Sequence, residues 1–374
     1  MKKGTAKRIG TWLCIAAAVL GVQYLTLVLS VIISRNGFSF SGLGQMMQSR
    51  LTEPGDAVRY LDIARNGYVR EGENAINLVF YPLYPLLIRL FSFVTGSLPL
   101  AGLIISQISY AAASVLLYEY LMLDRETQDA WFGVLLMALY PFSVFAMGVY
   151  TEGLFLFLSI ACLYLLRKEK YGAAGIVGFF AALTRAQGVL LLLPAAYSLA
   201  QGRLGAEKRK LKASDAGLLL IPAGLCVYLS INAVLHGDPF QFLRFEAGEP
   251  WYQTSEWVGR NIALQASLGK EHPGLAWIIY YPQIALYFLA LCVLLLGVWQ
   301  RQPVSLLLYG GAYLGFTYLS GWMISGGRYM LCCVPLYVIL SALRRRTARC
   351  GLLFFLALLH FIYSLLFFLG YSIM

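Results

Sequence analysis

Histidine is scarce: three residues in a chain of 374, and charged residues make up only 13% of it. His236, His272 and His360 show no metal-ligand spacing. The seven cysteines (Cys14, Cys162, Cys226, Cys292, Cys332, Cys333 and Cys350) include no CxxC pair, and none sits in a long polar loop. That argues against a disulfide framework and against a zinc site. No GxGxxG follows a strand, no P-loop occurs, and no soluble α/β domain can be drawn. Nothing in the chain looks built to hold a nucleotide sugar or ATP. Internal repeats and low-complexity tracts are also missing.

What is present is apolar. The chain is 59% hydrophobic, with a mean hydropathy of +0.69, against roughly 45–50% for soluble domains. The apolar residues fall in blocks of roughly 18–25, enough to cross a bilayer. The reading is an all-α polytopic membrane protein, one domain over residues 1–374, with about 11 spans. They lie near residues 11–33, 98–121, 130–147, 151–166, 172–183, 188–200, 216–235, 275–299, 303–320, 329–343 and 350–371. Two long loops, 34–97 and 236–274, fall on one side. The basic start before the first apolar block, with no prompt small-residue cleavage site, reads as a retained span.

Net charge is +11, and its distribution explains it without nucleic acid. The segments assigned to the cytoplasm carry 18 of the 29 Lys and Arg residues, whereas the outside segments carry 11 bases and 11 of the 18 acids. This follows the positive-inside rule. It places the N-terminus in the cytoplasm and both long loops and the C-terminus outside; the membrane expected is the plasma membrane.

Residues 54–85, PGDAVRYLDIARNGYVREGENAINLVFYPLYP, gather acids, bases and tyrosines outside the spans. Pro54 and Gly55 break the chain, and a short helix then runs to Gly67. Asp56 opens it, either as a helix cap or as a general base at the membrane surface. Asp62 is read as structural, paired with Arg65 three residues on. Glu152 begins the fourth span, either as an acid facing a helix dipole or as a functional ionisable group at a span boundary. Arg185 and Arg328 lie outside, against the charge bias. They either snorkel or pair bidentately with phosphate. His236–Pro239 reads as a turn. Trp251, Trp257 and Trp277 suit an interfacial belt and leave sugar stacking open.

Six pieces occur in a particular order: GDAVRYLDIARNGY from Gly55, FYPLYPLLIRL from Phe80, YPFSVFAMGVYTEGLFLFLS from Tyr140, ALTRAQGVLL from Ala182, HGDPFQF from His236 and GGRYMLCCVPLY from Gly326. In that order they resemble the PIG-V family of mannosyltransferases, which has many bacterial members and belongs to the GT-C fold of polytopic glycosyltransferases. One departure is visible: members usually carry Trp before the first-loop aspartate, where this chain has Gly55.

The resemblance implies a GT-C-like bundle with a helical first outside loop and a polyprenyl-phosphate sugar donor. It further implies transfer of mannose, with inversion, to a lipid-linked or glycan acceptor on the non-cytoplasmic face. It matches Asp56 to the catalytic acid, with Glu152 as the second candidate. Arg59, Tyr60, Tyr81, Tyr84, Tyr150, Arg185, Gln187, Asp238, Arg328 and Tyr329 lie on the matched pieces as candidates for substrate or phosphate contact. No cofactor is named; a divalent metal and a partner subunit both stay open. A transporter or flippase of a lipid-linked sugar is the rival reading, though it predicts mid-membrane charges and pseudo-repeats. A scaffold subunit is the third.

Overall fold

A computed structural model describes residues 2–34, 42–53, 55–204, 210, 212–321, 323–371 and 373. Pro54, read above as a chain break, and residues 205–209 and 211 of the basic loop lie outside the described residues. Everything described is helix, turn or loop; one isolated bridge, Ser255 to Ser320, is the sole β-type pairing among those residues.

In chain order the helices are α1 (Lys2–Ser34), α2 (Leu43–Thr52), α3 (Asp56–Asn66), α4 (Leu83–Thr95), α5 (Leu98–Leu121), α6 (Thr127–Ala138), α7 (Glu152–Arg167), α8 (Tyr171–Ala182) and α9 (Leu192–Leu204). They continue with α10 (Leu220–His236), α11 (Gln241–Ala247), α12 (Val258–Glu271), α13 (Pro273–Leu275), α14 (Tyr281–Trp299), α15 (Val304–Leu319), α16 (Gly326–Met330), α17 (Val334–Leu340) and α18 (Arg346–Leu369). Local chemistry sets several boundaries. Gly96, at φ 69°, closes α4, and the Ser97 hydroxyl then accepts from Leu100 N to start α5. Gly237, at φ 72°, closes α10.

Five stretches are long and apolar enough to cross a membrane: Thr5–Ser34, Leu98–Leu121, Ala213–His236, Pro273–Trp299 and Arg346–Leu369. Two bent pairs raise the number to seven if each is one span: Glu73–Val79 with Leu83–Thr95, at 109°, and Met323–Met330 with Val334–Leu340, at 57°. The segments expected as spans four, five, six and nine form helices of about the expected length, α7 and α15 with 16 residues, α8 with 12 and α9 with 13, whereas span three, expected over 130–147, is helical only to Ala138 in the 12-residue α6. Hydropathy reports apolarity and not helical continuity, so it draws one span where the backbone breaks.

The breaks are buried, and side chains satisfy the freed backbone, as a lipid-excluded site requires. Between α6 and α7 residues 140–151 are all buried. Gln23 Nε2 donates to Ala138 O at 2.6 Å, Tyr110 Oη to Met137 O at 3.0 Å, Gln107 Nε2 to Met147 O at 3.1 Å and Ser106 Oγ to Tyr150 O at 3.0 Å. Around α16 the Gly327 amide donates to Gln283 Oε1 at 2.6 Å, while Gly327 O accepts from Tyr140 Oη at 3.0 Å.

Charges collect at two opposite rims. At one, Arg8 pairs with Glu119, Arg167 with Asp124 and Arg349 with Asp129. At the other, the first long loop meets α10, with Tyr228 Oη donating to Leu78 O at 2.8 Å and Arg70 Nη2 to Val234 O at 3.3 Å, and α11 of the second long loop packs against the 3-10 turn Glu73–Val79.

Candidate active site

Three helix breaks converge at the second rim, and each delivers one charged side chain. Glu152 is the first residue of α7, Arg185 precedes the 3-10 turn Ala186–Leu191, and Arg328 sits inside α16. Asp56, the first residue of α3, completes the group. Arg328 Nη1 donates to Asp56 Oδ2 at 2.5 Å, and its Nε donates to Glu152 Oε1 at 2.5 Å. Arg185 Nη1 donates to the same Glu152 oxygen at 2.7 Å and to Thr151 Oγ1 at 3.2 Å. Two acids face two arginines, so the cluster is neutral overall. That is how buried charge is tolerated.

Aromatic faces hold both guanidinium planes. Arg328 lies 4.7 Å from the Tyr150 ring and 5.0 Å from Phe145; Arg185 lies 4.7 Å from Tyr329 and 6.0 Å from Phe155. In a desolvated site such contacts reach about 2 kcal/mol. Neither arginine snorkels: Arg185 is 8% and Arg328 2% exposed.

The two acids differ in access. The Asp56 side chain is 26% exposed, and Glu152 is 0%. Asp56 does not cap its helix; Gly55 holds the cap position at φ 59°, ψ −130° and makes no side-chain cap bond. That backbone region belongs to glycine, so Gly55 sets the approach of the chain to Asp56 where family members usually carry Trp. Asp56 Oδ1 and, on Arg185, Nε and Nη2 have no partner among the described residues. Glu152 Oε2 is buried without a hydrogen bond among them.

The other sequence candidates divide. Tyr60 packs under Asp56; burial pushes its phenol up, and Asp56 adds to the effect. Tyr84 is fully buried and bonds Gly102 O and Ser106 Oγ, tying α4 to α5. Tyr81 stacks on Tyr228 at 4.0 Å. Arg59 Nη1 donates to Asn77 Oδ1 at 3.2 Å. Gln187 is buried in the turn after Arg185. Asp238 accepts from Phe240 N at 2.9 Å and pairs with Arg244 at 3.0 Å, so it serves the loop turn and not the cluster.

The expected Asp62–Arg65 pair does not form. Asp62 takes the amides of Asn66 at 2.7 Å and Asn77 at 2.8 Å, which occupy both oxygens. Arg65 lines a surface groove of about 620 Å³ with Gln48, Glu53 and Val58, on the far face of α3 from Asp56. Trp257 and Trp277 are exposed, as a belt requires; Trp251 packs edge-on against Phe80 at 5.9 Å. Among the described residues no three His, Cys, Asp or Glu side chains come together as a metal site.

Residues 33–302 match the family described as Mannosyltransferase (PIG-V). The chain belongs to this family. No significant match is found among curated proteins. Family membership makes the chain a membrane glycosyltransferase of the mannosyltransferase type, with a sugar donor and an acceptor as its substrates. The match ends before Arg328, so the geometry alone ties that arginine to Asp56 and Glu152. Sequence reasoning passed over Gln23, Gln283 and Thr151. Gln23 and Gln283 carried a signal, a lone amide in an apolar helix, whereas Thr151 carried none.

Proposed function

We propose that this protein transfers a sugar, with mannose the first expectation, from a polyprenyl-phosphate carrier to a lipid-linked or cell-envelope acceptor. The reaction takes place on the non-cytoplasmic face of the plasma membrane, with both long loops outside. One observation carries the assignment of roles: Asp56 is reachable and Glu152 is not, although Arg328 grips both. Asp56 is then the base and Glu152 the buried counter-charge that fixes both arginines.

The step balances without a further reagent. The acceptor hydroxyl gives its proton to Asp56 Oδ1. Its oxygen attacks the anomeric carbon as the bond from that carbon to the carrier phosphate breaks, and the electron pair leaves on the phosphate oxygen. A single displacement of this kind inverts configuration. The developing charge faces Arg185, whose Nε and Nη2 have no partner among the described residues and whose planar fork suits phosphate. Arg328, held by two carboxylates, orients Asp56.

The test is a transfer assay with purified protein in bilayer discs. Mannose supplied as a polyprenyl-phosphate ester should be transferred; efficient transfer from a nucleotide sugar with no lipid carrier would refute the donor. Cysteines introduced into loop 236–274 should label in intact cells, and labelling only after permeabilisation would reverse the orientation.

A further inference from the structure

Bonds to α10 and α5 fix how deep the first long loop lies. Arg70 Nη2 reaches Val234 O at 3.3 Å, two residues before α10 ends at His236. Further along the loop, Leu78 O accepts from Tyr228 Oη at 2.8 Å, and Tyr81 stacks on the same ring at 4.0 Å. Tyr228 lies eight residues before His236, about 12 Å down α10. The chain then bends by 109° and returns through α4. Tyr84 Oη, near the start of α4, bonds Gly102 O at 3.1 Å and Ser106 Oγ at 2.6 Å. Ser106 is eight residues into α5 from Leu98, again about 12 Å from the loop-side end. Two helices therefore place the bend at one depth.

That depth is inside the bilayer. Leu98–Leu121 and Ala213–His236 each have 24 residues, about 36 Å of helix against a hydrocarbon core of about 30 Å. Were the whole surplus of about 6 Å on the loop side, the bend would still lie about 6 Å inside the core, and tilting the helices together deepens it. Burial follows the descent: residues 71–74 are exposed, and none of residues 75–85 is. Non-helical backbone at this depth needs protein partners. It has them, since Phe80 O accepts from Tyr68 Oη at 2.6 Å and Leu83 N donates to Leu183 O at 3.0 Å. The charged cluster shares the level, because Ser106 Oγ also donates to Tyr150 O at 3.0 Å, two residues before Glu152.

α4 climbs from this bend to Gly96 with one face bare. Leu83, Tyr84 and Ile88 are buried, whereas Leu86, Leu90, Phe93 and Val94, spaced i, i+4, i+7 and i+8, are exposed along one stripe. Arg89 is the one charge on α4, and its long stem lets the guanidinium rise toward the headgroups. We infer that residues 70–97 form a re-entrant element in the leaflet on the loop side, and that the Leu86–Val94 stripe is an interaction surface for phospholipid acyl chains. The bent pair then enters and leaves by the same side and is not a span. This requires only that the chain crosses a bilayer and is independent of the proposed reaction.

Footprinting tests it on the unaltered protein. Full-length chain, one copy per bilayer disc, is exposed to hydroxyl radicals, with each residue's oxidation scaled to the unfolded chain. Tyr252, 57% exposed on the second loop, should be oxidised readily. Phe93, although 82% exposed, should react about tenfold more slowly, because hydrocarbon holds no water to carry the radical. In discs whose phospholipids carry a mid-chain diazirine, light should attach lipid to residues 83–95, with α18, where Phe354 is exposed, as the positive control. Oxidation of Phe93 at the rate of Tyr252 would put the stripe in water and overturn the re-entrant element. Protection without an acyl adduct, or protection found only in discs holding two copies, would overturn acyl chains as the occupant.

Discussion

Asp56 and Arg328 are 272 residues apart in the chain and meet at 2.5 Å. The same guanidinium reaches Glu152, so one arginine sets the geometry of both acids at the rim. A first-loop helix and a broken helix near the far end of the chain are thereby joined at one point, at a side chain that is partly exposed.

Asp56→Asn should lower transfer by roughly 10²–10⁴-fold, the usual contribution of a positioned base. Because Asp56 does not cap α3, no capping loss accompanies the change. Turnover and detergent melting temperature on the same preparation check this. Normal turnover in Asp56→Asn, with a dead Glu152→Gln, would move the base to Glu152.

Arg328→Met should destabilise the fold by about 3–5 kcal/mol, since it strips charge from a buried pair. Arg185 still holds Glu152, which sets the effect toward the lower end. The double variant Arg328→Met/Glu152→Gln should recover part of the loss. Melting of the two singles and the double decides it; strictly additive losses would mean the pair is not coupled.

Arg185→Lys keeps the charge beside Glu152 and loses the fork. The expected result is an apparent donor KM raised about tenfold, one hydrogen bond's worth, with acceptor KM unchanged. Kinetics that vary donor and acceptor separately read this, and an unchanged donor KM would leave Arg185 a purely structural counter-ion.

Gly327 lies against the Phe142 ring, so a Cβ there overlaps it. Gly327→Ala should cost about 1–3 kcal/mol, as overpacking does, and should shift Arg328 next to it. Gly311, whose Cβ would meet nothing, sits on an exposed helix face and should tolerate alanine. Comparing the two variants by melting and by transfer separates crowding at the site from a general helix effect.

Glu246 makes stability depend on pH with a definite sign. Its folded value, about 7, exceeds the ordinary 4.5. The neutral form is favoured in the folded protein, so its stabilisation is complete below about 4.5 and is lost as pH rises through about 7. Melting of the parent protein between pH 5 and pH 8.5 should fall more steeply than that of Glu246→Gln. Parallel curves would contradict this.

The sequence alone determined class and family. Apolar blocks and the bias of Lys and Arg made a polytopic helical membrane protein, because bilayer thickness and charge asymmetry act on composition, which needs no coordinates. Six ordered motifs carried the family, and the charged candidates Asp56, Glu152, Arg185 and Arg328 were visible as ionisable groups at apolar boundaries. Tertiary structure decided what those groups do to one another. The shared Arg328 contact spans 272 positions, and no local pattern encodes such a meeting. It also decided where helices stop. The helix can stop at Ala138 because Gln23 and Tyr110 take the last carbonyls of α6, and Gln107 and Ser106 then take Met147 O and Tyr150 O in the non-helical chain. Hydropathy counts apolar side chains and does not see those bonds. The role of Asp62 turned on the same limit: Arg65 was the near neighbour in sequence, but Asn77 was the one the fold brought to it.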